Sequence, residues 1–120
     1  MKLEQDLLAR EMQFWVGNAD FFRQHLNDTC LTASVDHPGL QPKEAIAASV
    51  TQSDSWRSLT IDEKGFLSLG EDAAILTYEA SGNRKNGTRY RALVSSGYVR
   101  RDGAWKLAFH QQTPLEEKAQ

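Results

Sequence analysis

The dipeptide Asp102-Gly103 constrains the architecture more than any other feature of the chain. It separates two segments, Thr88 to Arg101 and Ala104 to Thr113, that carry alternating apolar and polar residues. Asp-Gly suits the positive backbone angles of a two-residue hairpin turn, so these segments should pair antiparallel, with Pro114 stopping the second. Upstream, Ser81 to Gly87 is a polar loop with glycines, which makes Ala73 to Ala80 the partner of the long Thr88 to Arg101 strand. Gly70-Glu71-Asp72 turns the chain into that strand. Before the turn, Leu59, Ile61, Phe66, Leu67 and Leu69 predict a further strand from Trp56 onward, with an irregularity at Glu63-Lys64-Gly65.

The first half has a different period. Leu8, Met12, Trp15, Ala19, Phe22 and Leu26 recur in steps of four and three, the stripe of an amphipathic helix. Leu7, Phe14 and Phe21 widen the stripe, which suits packing on a broad surface such as a sheet. At Gly17-Asn18 the pattern allows a kink, two consecutive helices with Asn18 or Asp20 capping the second, or one long helix that tolerates the glycine. Cys30 to Val35 suggests a short strand, His37 to Pro42 a loop, and the alanine-rich segment from Lys43 a helix ending around Gln52 to Ser55. Leu115 to Gln120 reads as a frayed tail. Helices followed by hairpin-linked strands indicate an α+β fold, an antiparallel meander with its helices on one face. Long strands twist and coil, so such a sheet should bend around the helices and leave a cavity at its wide end.

At 120 residues, 40% hydrophobic and 25% charged, the composition is that of one globular domain, residues 1–120. Cys30 is the single cysteine and cannot form an internal disulfide. Met1 to Asp6 carries acids where a signal peptide would be basic, and no apolar run approaches the ~18 residues of a membrane span. These features predict a soluble cytoplasmic protein with no membrane partner. The balance of 14 basic against 16 acidic residues gives a net charge of −2, which argues against a nucleic-acid partner. It conceals a local excess: Arg84, Lys85, Arg89, Arg91, Arg100, Arg101 and Lys106 face only Asp102 in their segment.

The stretch Tyr98 to Gln112, with Asp102-Gly103-Ala104-Trp105-Lys106-Leu107-Ala108-Phe109-His110-Gln111 at its centre, resembles the C-terminal hairpin of the nuclear transport factor 2-like superfamily, in its SnoaL-like branch. The order of elements before it is similar to that family over nearly the whole chain. The resemblance implies a cone-shaped fold: N-terminal helices on a strongly curved, mostly antiparallel sheet, an interior pocket, and a homodimer formed through the outer sheet surface. The family includes isomerases, cyclases, dehydratases and non-enzymatic association domains, so the fold alone does not name an activity.

His110 is the candidate acid or base, because imidazole titrates near neutral pH and the residue ends the last strand, where such folds place pocket walls. A cross-strand or dimer-interface hydrogen bond is the alternative use for it. Tyr78, Tyr98, His110 and Gln112 are candidate polar contacts to a small organic ligand, with Trp15 and Trp56 as apolar walls. Tyr90 shares a strand face with Tyr98 by parity. Asp28 and Asp36 flank the first strand and fit structural roles better than paired-carboxylate chemistry. Scattered histidines and a lone cysteine predict no metal, and no phosphate-cradling glycine motif is present, so no cofactor is expected. The resulting expectation is a pocket protein with possible cofactor-free isomerase, dehydratase or hydrolase chemistry, against a non-catalytic association or sensing domain acting through homodimerisation.

Overall fold

Gly17 ends the first helix rather than bending it. In the computed structural model, which describes residues 2–35, 37–50 and 56–115, α1 spans Lys2–Val16 and α2 spans Ala19–His25. A Cβ at Gly17 would lie 2.6 Å from the Gln13 carbonyl oxygen and 3.2 Å from Phe21 Cβ, so the turn between the helices closes only over a glycine. The Asn18 Oδ1 accepts from the Phe21 N–H at 3.0 Å and caps α2, as one of the sequence alternatives expected. Phe14 meets Phe21 and Phe22 edge-on, each at 5.0 Å between centroids, and locks the angle between the helices.

The remaining elements are β1 (Leu26–Ala33), β2 (Gly39–Pro42), α3 (Lys43–Ser49), β3 (Trp56–Ser68), β4 (Ala73–Arg84), β5 (Arg89–Arg101) and β6 (Ala104–Pro114). They form one curved six-stranded sheet in the order β2-β1-β6-β5-β4-β3. Every neighbouring pair is antiparallel except β1 with β6. The Asp102-Gly103 turn sits where expected, with φ of 52° at Asp102 and 80° at Gly103. The irregularity expected in β3 is a register shift between Glu63 and Gly65.

Several boundaries differ from the sequence reading. The helical stripe stops at His25, and Leu26 already belongs to β1, because its segment is claimed by pairing with β2 on one side and β6 on the other. Part of the expected loop at His37 to Pro42 is therefore strand β2. β4 runs on to Arg84, since Asn83 and Arg84 still pair with β3. Helix α3 closes at Ser49, and the expected helix end at Gln52 to Ser55 lies outside the described residues, as do Asp36 and 116–120.

The core lies between α1 and the inner sheet face. In β4 and β5 the inner residues alternate as Ala74, Leu76, Tyr78, Ala80 and Ala92, Val94, Ser96, Tyr98, and all of them are buried. On α1 the buried line is Leu7, Glu11 and Phe14, one position displaced from the expected Leu8-Met12-Trp15 line. An acid thus occupies the centre of the helix face that meets the sheet.

Candidate functional site

Glu11 is 1% exposed, and its carboxylate collects three hydroxyl groups from the two strands beneath it. Tyr78 Oη and Ser96 Oγ each lie 2.7 Å from Oε1, and the Tyr98 hydroxyl donates to Oε2. Tyr78 and Ser96 come from β4 and β5 and occupy inner positions near one another, so one carboxylate reaches both strands. Trp15 Nε1 donates to Tyr78 Oη at 2.9 Å, which commits the Tyr78 proton to Glu11. Burial, followed by the nearby Glu11 charge, pushes both phenols above the usual tyrosine range, so they stay protonated donors.

From Ser96 the polar line continues across to β6. Ser96 Oγ is 3.1 Å from His110 Nδ1, His110 Nε2 is 3.0 Å from Gln112 Oε1, and Gln112 Nε2 donates to Tyr90 Oη at 2.7 Å. With the amide of Gln112 facing Tyr90, its Oε1 requires a hydrogen on His110 Nε2. Ser96 has one proton, and it lies between an acceptor carboxylate and Nδ1. Two arrangements satisfy every group. In one, Nδ1–H donates to Ser96 and Ser96 donates to a Glu11 carboxylate. In the other, a protonated Glu11 donates to Ser96 and Ser96 donates to a neutral His110. They differ only by moving two protons along the line, so Ser96 joins Glu11 to His110 as a path for a proton.

His110 and Gln112 also face a cavity of about 510 Å³ between the helices and the concave sheet. This is within the usual range for small-molecule sites. Its walls include Glu11, Phe14, Trp15, Phe22, Leu26, Cys30, Thr32, Ile46, Trp56, Arg84, Tyr90 and Leu107. Trp15, Trp56 and Tyr90 form one aromatic cluster there, with centroid separations of 5.8 to 6.1 Å. Gly82 makes room for it: an added Cβ would stand 2.6 Å from the Ser58 carbonyl oxygen and 2.9 Å from the Trp56 ring. The Cys30 thiol is buried, and desolvation pushes it up to about 11, which leaves it a poor nucleophile.

Of the residues singled out from sequence, Trp15, Trp56, His110 and Gln112 therefore line one cavity. Tyr78 and Tyr98 stand behind the wall with their hydroxyls directed to Glu11. Sequence reasoning gave no role to Glu11 or Ser96, and named Arg84 only as one member of the basic run. For Glu11 the available signal was its place at i+4 from Leu7 and i−3 from Phe14.

The basic segment does not form one surface. Arg91 pairs with Glu79 at 3.0 Å, Arg100 with Asp72 at 2.9 Å, and Lys106 donates to the Gln24 carbonyl at 2.6 Å. Arg84 instead turns into the cavity and lies over Trp56 and Tyr90. No helix among the described residues is long and apolar enough to cross a membrane.

No protein-family model matches the chain, and no curated protein matches it in sequence. Solved structures do match in shape. A protein of unknown function from Prochlorococcus marinus, described as NTF2-like, superposes with a TM-score of 0.72 at 20% identity, covering 98% of this chain and 97% of that one. A ketosteroid isomerase-like protein from Erwinia carotovora gives 0.75 at 14% identity, covering 95% and 94%. The association domain of C. elegans CaMKII gives 0.67 at 14% identity, covering 93% and 96%. With three helices on a six-stranded, mostly antiparallel curved sheet, the chain has the nuclear transport factor 2-like fold.

Proposed function

We propose that the protein binds a small organic molecule in the helix–sheet cavity and exchanges a proton with it at His110, without a cofactor. The observation that carries this reading is the Glu11–Ser96–His110 line, which ends in the cavity wall. Replacing a buried carboxylate and its partners by apolar residues is often close to neutral, so stability alone does not account for an acid at this position. In the resting state Gln112 occupies His110 Nε2–H. A ligand oxygen that displaces Gln112 receives that proton from an imidazolium whose Nδ1–H is held on Ser96, with the Ser96 proton on the Glu11 carboxylate. The ligand gains one proton, Glu11 stays the carboxylate throughout, and His110 becomes the neutral imidazole. The reverse sequence removes a proton, so the same line serves an isomerisation or a dehydration.

The test is deuterium exchange at the carbon next to the carbonyl of 2-tetralone in D₂O, followed by proton NMR. Exchange above the buffer rate is expected, falling on the order of 100-fold or more in His110→Gln. If 2-tetralone binds but exchange stays at the buffer rate, the proton-transfer reading is wrong and a sensing role takes its place.

A second reading, homodimerisation through the outer sheet face, is favoured by Leu31, Leu67 and Leu93, which are 48%, 57% and 39% exposed on that face. Sedimentation velocity should give a dimer for the native chain and a monomer for Leu31→Glu combined with Leu93→Glu. A native monomer at tens of micromolar (~50 µM) rules this interface out, since dimers on faces of standard size hold at that concentration.

A further inference from the structure

We infer that Arg84 seats the carboxylate of a flat, largely apolar acid inside the cavity. This rests on the pocket reading above and deepens it by naming the ligand class. Arg84 ends β4, and the turn after it is closed by its own backbone: its N–H donates to the Thr88 carbonyl and its carbonyl accepts from the Gly87 N–H, each at 2.9 Å. The base of the side chain is therefore held. The guanidinium carbon lies 5.1 Å from the Trp56 ring centroid and 4.9 Å from that of Tyr90, and both rings pack on Trp15. Aromatic contacts of this kind satisfy the faces of a guanidinium and leave its N–H edges to seek acceptors in its plane.

One donor on those edges is unsatisfied among the described residues. Arg84 Nε is buried and has no hydrogen-bond partner among the described residues, while Arg91, Arg100 and Lys106 have theirs. A buried donor left unpaired is costly, and a wet or filled cavity beside it is the place where a partner is supplied. A carboxylate suits this donor best, because its two oxygens can take Nε–H and a neighbouring Nη–H together. A phosphate would call for more positive charge than a single guanidinium, and among the described residues the wall has no glycine-rich loop to add backbone donors. The aromatic cluster beside the guanidinium suits a planar body. At the other end of the same wall, Tyr90 accepts from Gln112, which holds His110. The anion seat and the proton-exchanging group are thus linked by two side chains, so a seated acid would present its far end to His110.

The experiment compares 2-naphthoate with the isosteric, uncharged 2-naphthamide by isothermal titration calorimetry at pH 7.5, on the native protein, Arg84→Lys and Arg84→Gln. Thermal melts confirm that each variant is folded. The native protein should bind the acid at least tenfold more tightly than the amide. Arg84→Gln should abolish that preference without weakening the amide, and Arg84→Lys should keep only part of it, because a lysine lacks the paired edge. Equal binding of acid and amide to the native protein overturns the anion seat while leaving the pocket reading intact. A preference that persists in Arg84→Gln overturns it too. Failure of both probes to bind at millimolar concentration overturns the pocket reading itself and the seat with it.

Discussion

Glu11→Ala is expected to unfold about 16 °C below the native protein, the equivalent of about 4 kcal/mol for a chain of this size. The substitution removes a carboxylate that three buried hydroxyls use as their acceptor. Each donor left unpaired costs about 1–3 kcal/mol, and water entering from the cavity relieves part of the total. Glu11→Gln should lose roughly half as much, since its amide oxygen can still accept from Tyr78 and Ser96 while its NH₂ meets Tyr98 with the wrong sign for a phenol proton. The informative variant removes the whole cluster: Glu11→Met with Tyr78→Phe, Ser96→Ala and Tyr98→Phe. Replacing a complete buried polar group by apolar residues is often neutral or stabilising by about 1–4 kcal/mol, so this variant should regain most of the lost stability. Thermal and urea melts of the three variants decide the matter. If Glu11→Ala melts within about 4 °C of the native protein, a shift worth about 1 kcal/mol, the carboxylate is not the keystone of this core.

The second large effect is on alkaline stability. Cys30 has its thiol raised from 9.0 to about 11 by burial first and by Glu11 second, and burial together with Glu11 raises Tyr78 and Tyr98 as well. All three groups are acids that stay protonated longer in the folded chain than in the unfolded one. Above pH ~9 the unfolded state therefore binds fewer protons, and stability falls as pH rises. Cys30 alone should cost about 2 kcal/mol by pH ~10.5, with the loss continuing toward pH ~11, and the tyrosines add to it above pH ~10. Below pH ~9 these groups contribute their full stabilisation, so the curve should be flat on their account. Urea melts at half-unit intervals from pH ~8 to ~11 measure this. Cys30→Ala should remove the portion that begins near pH 9, and native stability that stays level through pH ~10.5 would contradict the assignment.

Much of the sheet could be read before any coordinates. Asp102-Gly103 and the glycines near 82 and 87 are local signals, and hairpins are built from local signals. Parity along β5 likewise put Tyr90 and Tyr98 on one face. β1 was harder. Leu26-Asn27-Asp28 has the composition of a helix end and a turn, and it becomes strand only because β2 and β6 supply partners distant in sequence. Glu11 was hidden for a related reason. A charge within an amphipathic stripe is ordinarily placed toward solvent, and its burial makes sense only once Tyr78, Ser96 and Tyr98 are seen beneath it. Arg84 was submerged in a run of basic residues, three of which, Arg91, Arg100 and Lys106, turn out to have separate partners.

The parallel pairing of β1 with β6 has a consequence for synthesis. Thr32 and His110, which sit side by side on the cavity wall, are 78 residues apart in order of translation. Glu11 leaves the ribosome long before Tyr78, Ser96 and Tyr98, the three groups that make its burial tolerable. The nascent chain must therefore keep α1 away from a half-made sheet, and the last strand to emerge is the one that lets the first strand dock. Folding should be delayed until β6 has emerged and then be cooperative, as is usual where contacts join distant parts of a chain.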